Sequence, residues 1–128
     1  MKILGIGVDI IKNKRLQFSL KNKKFINRMF TKNEIELSSM LKKKINFFSK
    51  RFAAKESLAK AIGTGFRNNL NFKDIEIIND KKGKPQFTKT KKIKKIVQKQ
   101  FKVKNYNCFL SISDEKEYST AFTIIQSI

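Results

Sequence analysis

The stretch RFAAKESLAKAIGTG, residues 51–65, constrains the fold of this chain more than any other. Read back to residue 46, it sets Phe48, Phe52, Ala59 and Ile62 in one apolar stripe at helical spacing, and Gly63 supplies a natural C-terminal stop. The expectation is a helix over residues 46–62 that buries this stripe. The same segment holds four of the five alanines, ends in Gly63-Thr64-Gly65, and sets Glu56 beside Lys55 and Lys60. A plain amphipathic helix requires none of these. A site that handles anions has a use for them.

Strand and helix signals alternate along the rest of the chain. KILGIGVDI, residues 2–10, is apolar, β-branched and glycine-punctuated, and predicts a buried strand ending near Asp9. A lysine-rich helix is expected over residues 12–21, with Leu16 and Leu20 on its inner face. Thr31 with Glu34 three residues on is a capping box that opens a short helix. DIEIINDKKGKPQFT alternates apolar and polar residues, turns through Asp80 to Gly83 and resumes after Pro85, a hairpin pattern. Over residues 89–104 eight lysines surround Ile93, Ile96, Val97 and Phe101, giving a helix with a solvated basic face. NYNCFLSISD and EYSTAFTIIQSI predict two strands with a tight turn near Glu115 and Lys116. With no repeat, linker or composition break, residues 1–128 are expected to form one α+β domain. Its antiparallel sheet comes from the C-terminal half, with helices packed on it.

Composition excludes more chemistry than it suggests. There is no histidine, so Ser-His-Asp and Cys-His pairs and histidine-bearing zinc sites cannot be built within one chain. Carboxylates, lysines, hydroxyls or a hard metal ion must carry any catalysis. A single cysteine, Cys108, excludes an internal disulfide and fits a reducing, cytoplasmic setting. No apolar run approaches the ~20 residues of a membrane span, and Asp9 interrupts the N-terminal one, so neither a membrane anchor nor a secretory signal is expected. The net charge of +20 points toward nucleic acid or another polyanion. Yet lysine outnumbers arginine 26 to 4, and Lys, Ile, Asn and Phe make 66 of 128 residues, the mark of drift toward adenine- and thymine-rich codons. A small nucleic-acid-binding protein that uses the helix over residues 89–104 stays as the alternative reading.

Each candidate residue has a bland and a sharp reading. Gly5 and Gly7 lack the third glycine of a dinucleotide fingerprint, since position 10 is isoleucine; alone they let another backbone pack closely. Asp9, at the end of an apolar strand, must be exposed, hydrogen-bonded or bound to a cation. Glu56 and Lys60 are i, i+4, a surface pair worth a few tenths of a kcal/mol at most. Taken together, a strand carboxylate and a helix carboxylate could hold a magnesium ion, with Lys55, Lys60 and Arg51 neutralising phosphate. Gly63-Thr64-Gly65 lies at the negative end of its helix, so phosphate binding there would rely on the cation and side chains.

In order along the chain, GIGVDI, FAAKESLAKAIGTG, IEIINDKKGKP and LSISDEKEYSTAF resemble the small bacterial holo-[acyl-carrier-protein] synthases of the 4′-phosphopantetheinyl transferase superfamily. The combination of G-x-D with F-x-x-K-E-x-x-x-K-A carries the likeness. It implies the 4′-phosphopantetheinyl transferase fold, and a transferase of fatty acid biosynthesis that moves the phosphopantetheine arm of coenzyme A onto a serine of acyl carrier protein. Adenosine 3′,5′-bisphosphate is released. Position by position, it implies Asp9 and Glu56 as Mg2+ ligands and Lys60 against the transferred phosphate. Arg51, Gly63 and the Gly83-Lys84-Pro85 turn would lie along the nucleotide, with Arg15 and Arg28 facing the carrier protein. It implies a homotrimer with sites between neighbouring subunits. Many members carry histidine just before L-S-I-S, where this chain has Phe109.

Overall fold

The computed structural model describes residues 1–128. In order, the elements are β1 (Ile3–Lys12), α1 (Asn13–Ser19), α2 (Lys23–Met29), α3 (Lys32–Ser39) and α4 (Ile45–Ile62), then a 3-10 turn at Phe72–Asp74. The second half holds β2 (Ile77–Asn79), β3 (Pro85–Phe87), α5 (Lys91–Phe101), β4 (Tyr106–Asp114) and β5 (Tyr118–Ser127). No helix is long and apolar enough to cross a membrane.

The α+β class is as expected, but the sheet is drawn from both ends of the chain. β1, β5 and β4 form one antiparallel sheet in the order β1-β5-β4, while β2 and β3 pair as a separate hairpin. β5 needs a partner on each side, and the N-terminal strand supplies one of them. β1 also runs past its expected end to Lys12, with Asp9 opposite Ala121. Asp9 is therefore inside a ladder, not at a strand terminus.

β1 is buried on one face only. Gly7 and Ile11 are covered by α4, while Ile6, Val8 and Ile10 on the other side stay 56–65% exposed. An unbroken apolar run reads as buried on both faces; here the outer face joins Phe109 and Phe122 of the neighbouring strands in one exposed apolar surface. The glycines explain the inner face. A Cβ on Gly5 would fall onto the Ala61 carbonyl oxygen, and one on Gly7 onto that of Ser57. Without them the strand could not lie directly on the helix.

α4 is the helix the alanines predicted. Gly63 closes it in the left-handed region at φ 94°, a conformation that disfavours any side chain. Leu58, Ala59, Ala61 and Ile62 enter the core, and Phe48 meets Phe30 with ring centroids 4.6 Å apart. The Thr31–Glu34 capping box is present at the start of α3. α2, which the sequence did not signal, has no buried residue.

Candidate active site

The close approach of β1 to α4 sets the site geometry. Two strand residues advance about 6.6 Å and four helix residues about 6 Å. Gly5 over Ala61 and Gly7 over Ser57 therefore bring Asp9, on the same strand face, down toward Glu56. Helical side chains lean toward the helix N-terminus, and Lys60 reaches back along α4. Its ammonium donates to Asp9 Oδ1 at 3.1 Å and to the Val8 carbonyl at 3.0 Å. The expected Glu56–Lys60 pair is thus replaced by a cross-element pair, because the strand lies nearer to Lys60 than the preceding turn does.

Asp9, Glu56, Lys60 and Arg15 line a cleft of about 370 Å³, backed by Ile11, Leu16, Phe25 and Phe52. Its apolar wall strips water from both acids. Burial raises the Asp9 carboxyl above its ordinary value, with Lys60 opposing. Burial also raises Glu56, and the negative charge of Asp9 adds to the rise. Two carboxylates that repel one another in a half-dry cleft are a donor set that a hard divalent cation fits, since such an ion is held by one or two carboxylates plus water and phosphate oxygens. Two protein carboxylates alone do not make a closed metal cage, and no group of three or more His, Cys, Asp or Glu side chains is gathered anywhere in the chain.

Lys55 and Arg51 do not join them. Lys55 is fully buried on the other side of α4, where its ammonium donates to Glu34 Oε1 at 2.6 Å and to the Met29 carbonyl at 2.7 Å. The expectation that Lys55 neutralises phosphate is corrected: one residue's turn on a helix separates it from Glu56 by about 100°. Arg51 is buried with Glu34 but opens onto a second cleft of about 150 Å³, shared with Lys50, Asn79, Gly83, Pro85, Ile112 and Asp114. Lys84 stands exposed in the same turn, its N–H held by Asp80 Oδ1. Gly63 lies twelve residues along α4 from Arg51, about 18 Å of helix, and lines neither cleft. Arg28 sits in the last turn of α2, one turn beyond the cleft residue Phe25. Phe109, 48% exposed, faces outward from the sheet opposite Ile124 and does not enter the first cleft. Sequence reasoning missed Asn79, Lys50 and Asp114; only the proximity of Asn79 to the Gly83 turn could have pointed to one of them.

Comparison with known proteins identifies the family and the fold. The family model for the 4′-phosphopantetheinyl transferase superfamily matches residues 5–123. A holo-[acyl-carrier-protein] synthase of Pelagibacter ubique (strain HTCC1062) is 64% identical over 126 residues, covering 98% of both chains. The crystal structure of the Neisseria meningitidis holo-[acyl-carrier-protein] synthase superposes with a TM-score of 0.87 at 36% identity, over 98% of this chain and 99% of that one. The Bacillus anthracis str. Ames holo-(acyl-carrier-protein) synthase, solved in complex with CoA (3′,5′-ADP), gives 0.83 at 35% identity over 100% of both chains. Family match, whole-length identity and fold converge: this chain belongs to the 4′-phosphopantetheinyl transferase superfamily and is an enzyme of the holo-[acyl-carrier-protein] synthase type.

Proposed function

We propose that this chain, as one transferase domain over residues 1–128, moves the 4′-phosphopantetheine arm of coenzyme A onto a serine of acyl carrier protein. It does so with Mg2+ and releases adenosine 3′,5′-bisphosphate. One observation carries the reading: Asp9, Glu56 and Lys60 meet in a single cleft at the β1–α4 contact. The coenzyme A complex of the Bacillus anthracis relative supports the choice of donor.

Asp9 and Glu56 would hold the ion, which when bound offsets the negative charge of the pyrophosphate oxygens. Lys60, held at the lip of the cleft by Asp9 and the Val8 carbonyl, keeps the third of its ammonium N–H donors for the transferred phosphate. The serine proton passes either to Glu56 or to a water oriented in the cleft; no imidazole is available for it. Positioning and charge neutralisation dominate such a reaction, because phosphoryl transfer asks little covalent help of the protein. Arg15 at the cleft, with Arg28 one turn past Phe25, would receive an acidic carrier protein and speed its association. Arg51 and the Gly83-Lys84-Pro85 turn would take the nucleotide end. Gly63, remote from Arg51 on one chain, would act at a neighbouring copy.

The exposed apolar face of β1, β5 and β4 supports self-association, since Ile6, Val8, Ile10, Phe109 and Phe122 form a contiguous uncovered patch. The family's trimer is the assembly we propose, with Phe109 brought to an interface and cytoplasmic residence following from the reaction. Nucleic-acid binding gains no specific observation: Lys91, Lys94, Lys95 and Lys99 of α5 stand in solvent, while Lys92 is engaged by Asp74 at 2.6 Å.

Thermal unfolding tests the whole reading. Coenzyme A with Mg2+ should raise the melting temperature in a saturable way, and a metal chelator should reduce the effect. Stabilisation by DNA or RNA alone, lost on adding salt, would overturn it.

A further inference from the structure

The second cleft has a joint that the reaction chemistry does not itself require. Arg51 is 5% exposed and its Nε has no hydrogen-bond partner, standing 3.8 Å from Glu34 Oε2. Its guanidinium lies over the Phe47 ring at 3.9 Å. Its one side-chain hydrogen bond runs from Nη2 to Asn79 Oδ1 at 3.0 Å. The other end of the same carboxamide donates from Nδ2 to the Gly83 carbonyl at 2.8 Å.

The turn that receives this bond is built internally. Asp80 Oδ1 accepts from the N–H groups of Lys82 and Lys84, both at 2.9 Å, and Gly83 takes a left-handed φ of 86°. Its shape is therefore fixed by Asp80. Its side-chain tie to α4 is Asn79, which accepts from the guanidinium on one side and donates to the turn on the other. A carboxamide combines acceptor and donor at one short reach; a carboxylate keeps only the first and an alkyl group neither.

We propose that Asn79 is a positioning residue for coenzyme A: its carboxamide sets the spacing between the Arg51 guanidinium and the Gly83-Lys84-Pro85 turn, the two walls of the nucleotide cleft. This rests on the transferase reading above. Asn79 acts through these walls and contributes nothing at the Asp9–Glu56–Lys60 cleft, so it governs affinity for one substrate and not the rate of transfer.

Steady-state transfer by the full chain, with coenzyme A, an apo acyl carrier protein and saturating Mg2+, tests it. Asn79→Ala should raise KM for coenzyme A about tenfold, equivalent to about 1.4 kcal/mol. kcat and KM for the carrier protein should stay within twofold. Asn79→Asp should raise KM for coenzyme A at least as far, because its carboxylate would face the Gly83 carbonyl and the substrate phosphates even though it gains an ion pair with Arg51. Should the alanine variant fold poorly, the aspartate variant decides alone. An aspartate variant with wild-type KM would mean that Asn79 merely holds Arg51 within the fold, and the proposal falls. Equal rises for both substrates, or no rise, overturn it as well. Wild-type protein without saturable dependence on coenzyme A would sink the transferase reading and this proposal together, whereas a normal wild type with an unmoved Asn79→Ala sinks the proposal alone.

Discussion

Lys55 and Glu56 are neighbours on one helix and lead opposite lives. Lys55 turns inward and meets Glu34 with no exposed surface on either side chain. Glu34 accepts in addition from the backbone N–H groups of Thr31 and Ile77, at 2.9 and 3.1 Å. Three elements are thereby locked around a fully buried, hydrogen-bonded ion pair, with the Arg51 guanidinium a further 3.8 Å from Glu34 Oε2. Glu56 turns outward to a cleft where the nearest like charge, Asp9, repels it. The first arrangement is complete as it stands. The second is left under electrostatic tension that a bound cation would relieve, the difference expected between a binding site and a structural one built of the same residue types.

The comparison is broken most forcefully at Lys55. Lys55→Met keeps the length of the side chain and leaves the Glu34 carboxylate buried without its ammonium, a loss of about 3–5 kcal/mol. Chemical denaturation should show the midpoint fall sharply, with activity following the folded fraction. Glu56→Ala and Asp9→Ala should do the reverse: transfer falls by about a thousandfold or more, on the order of 4 kcal/mol of barrier, while the denaturation midpoint holds or rises. Near-normal rates in both variants at low Mg2+ would remove the metal assignment.

Gly7→Ala ranks next and strikes both regions at once. The new Cβ would collide with the Ser57 carbonyl oxygen and crowd the Ala61 nitrogen. Relieving it means lifting β1 from α4, an overpacking cost of about 1–3 kcal/mol. Asp9 moves with the strand, so the loss of transfer should exceed what the fall in stability accounts for. An active variant with wild-type Mg2+ dependence would show that the strand–helix spacing does not set the site.

These contrasts also explain what the sequence could convey. α4, its Gly63 stop, the Thr31–Glu34 capping box and both hairpins were legible because each is written in residues a few positions apart. The β1–β5 pairing was not, since Asp9 and Ala121 lie far apart in the chain and only the folded sheet joins them. The outer face of β1 was misread because an apolar run does not say which side is covered. Asp9, Glu56 and Lys60 were legible as candidates. Their pairing was not, because i, i+4 spacing favours Glu56–Lys60 until a glycine-floored strand brings Asp9 closer. Glu34 gave its local role as a cap and concealed its long-range one, because Lys55 and Ile77 reach it from distant segments. The short helix α2 buries no residue, so it left no periodic signal to find.

The smallest expected effect sharpens the contrast through pH. Glu56 has a folded pKa raised above its ordinary 4.5 by burial and by Asp9. The folded protein therefore binds this proton more tightly than the unfolded chain does. The resulting contribution to stability is full below the unfolded pKa and is lost as pH rises through the folded one. Glu56→Gln abolishes that titration and relieves the repulsion, so without metal it should melt about 1–3 °C above wild type at neutral pH. The gap should close as the solution is acidified toward the ordinary carboxylate range. Mg2+ should reverse the order: by binding the folded wild type it would stabilise it by mass action, while the glutamine variant, with one carboxylate fewer, should gain less. Protons and metal compete for the same oxygens, so the Mg2+ concentration that half-stabilises wild type should climb as pH falls. Melting curves for both proteins across pH, with and without Mg2+, measure all three trends. A glutamine variant that melts below wild type at neutral pH without metal would mean that Glu56, like Lys55, is a structural residue whose charge the fold already satisfies.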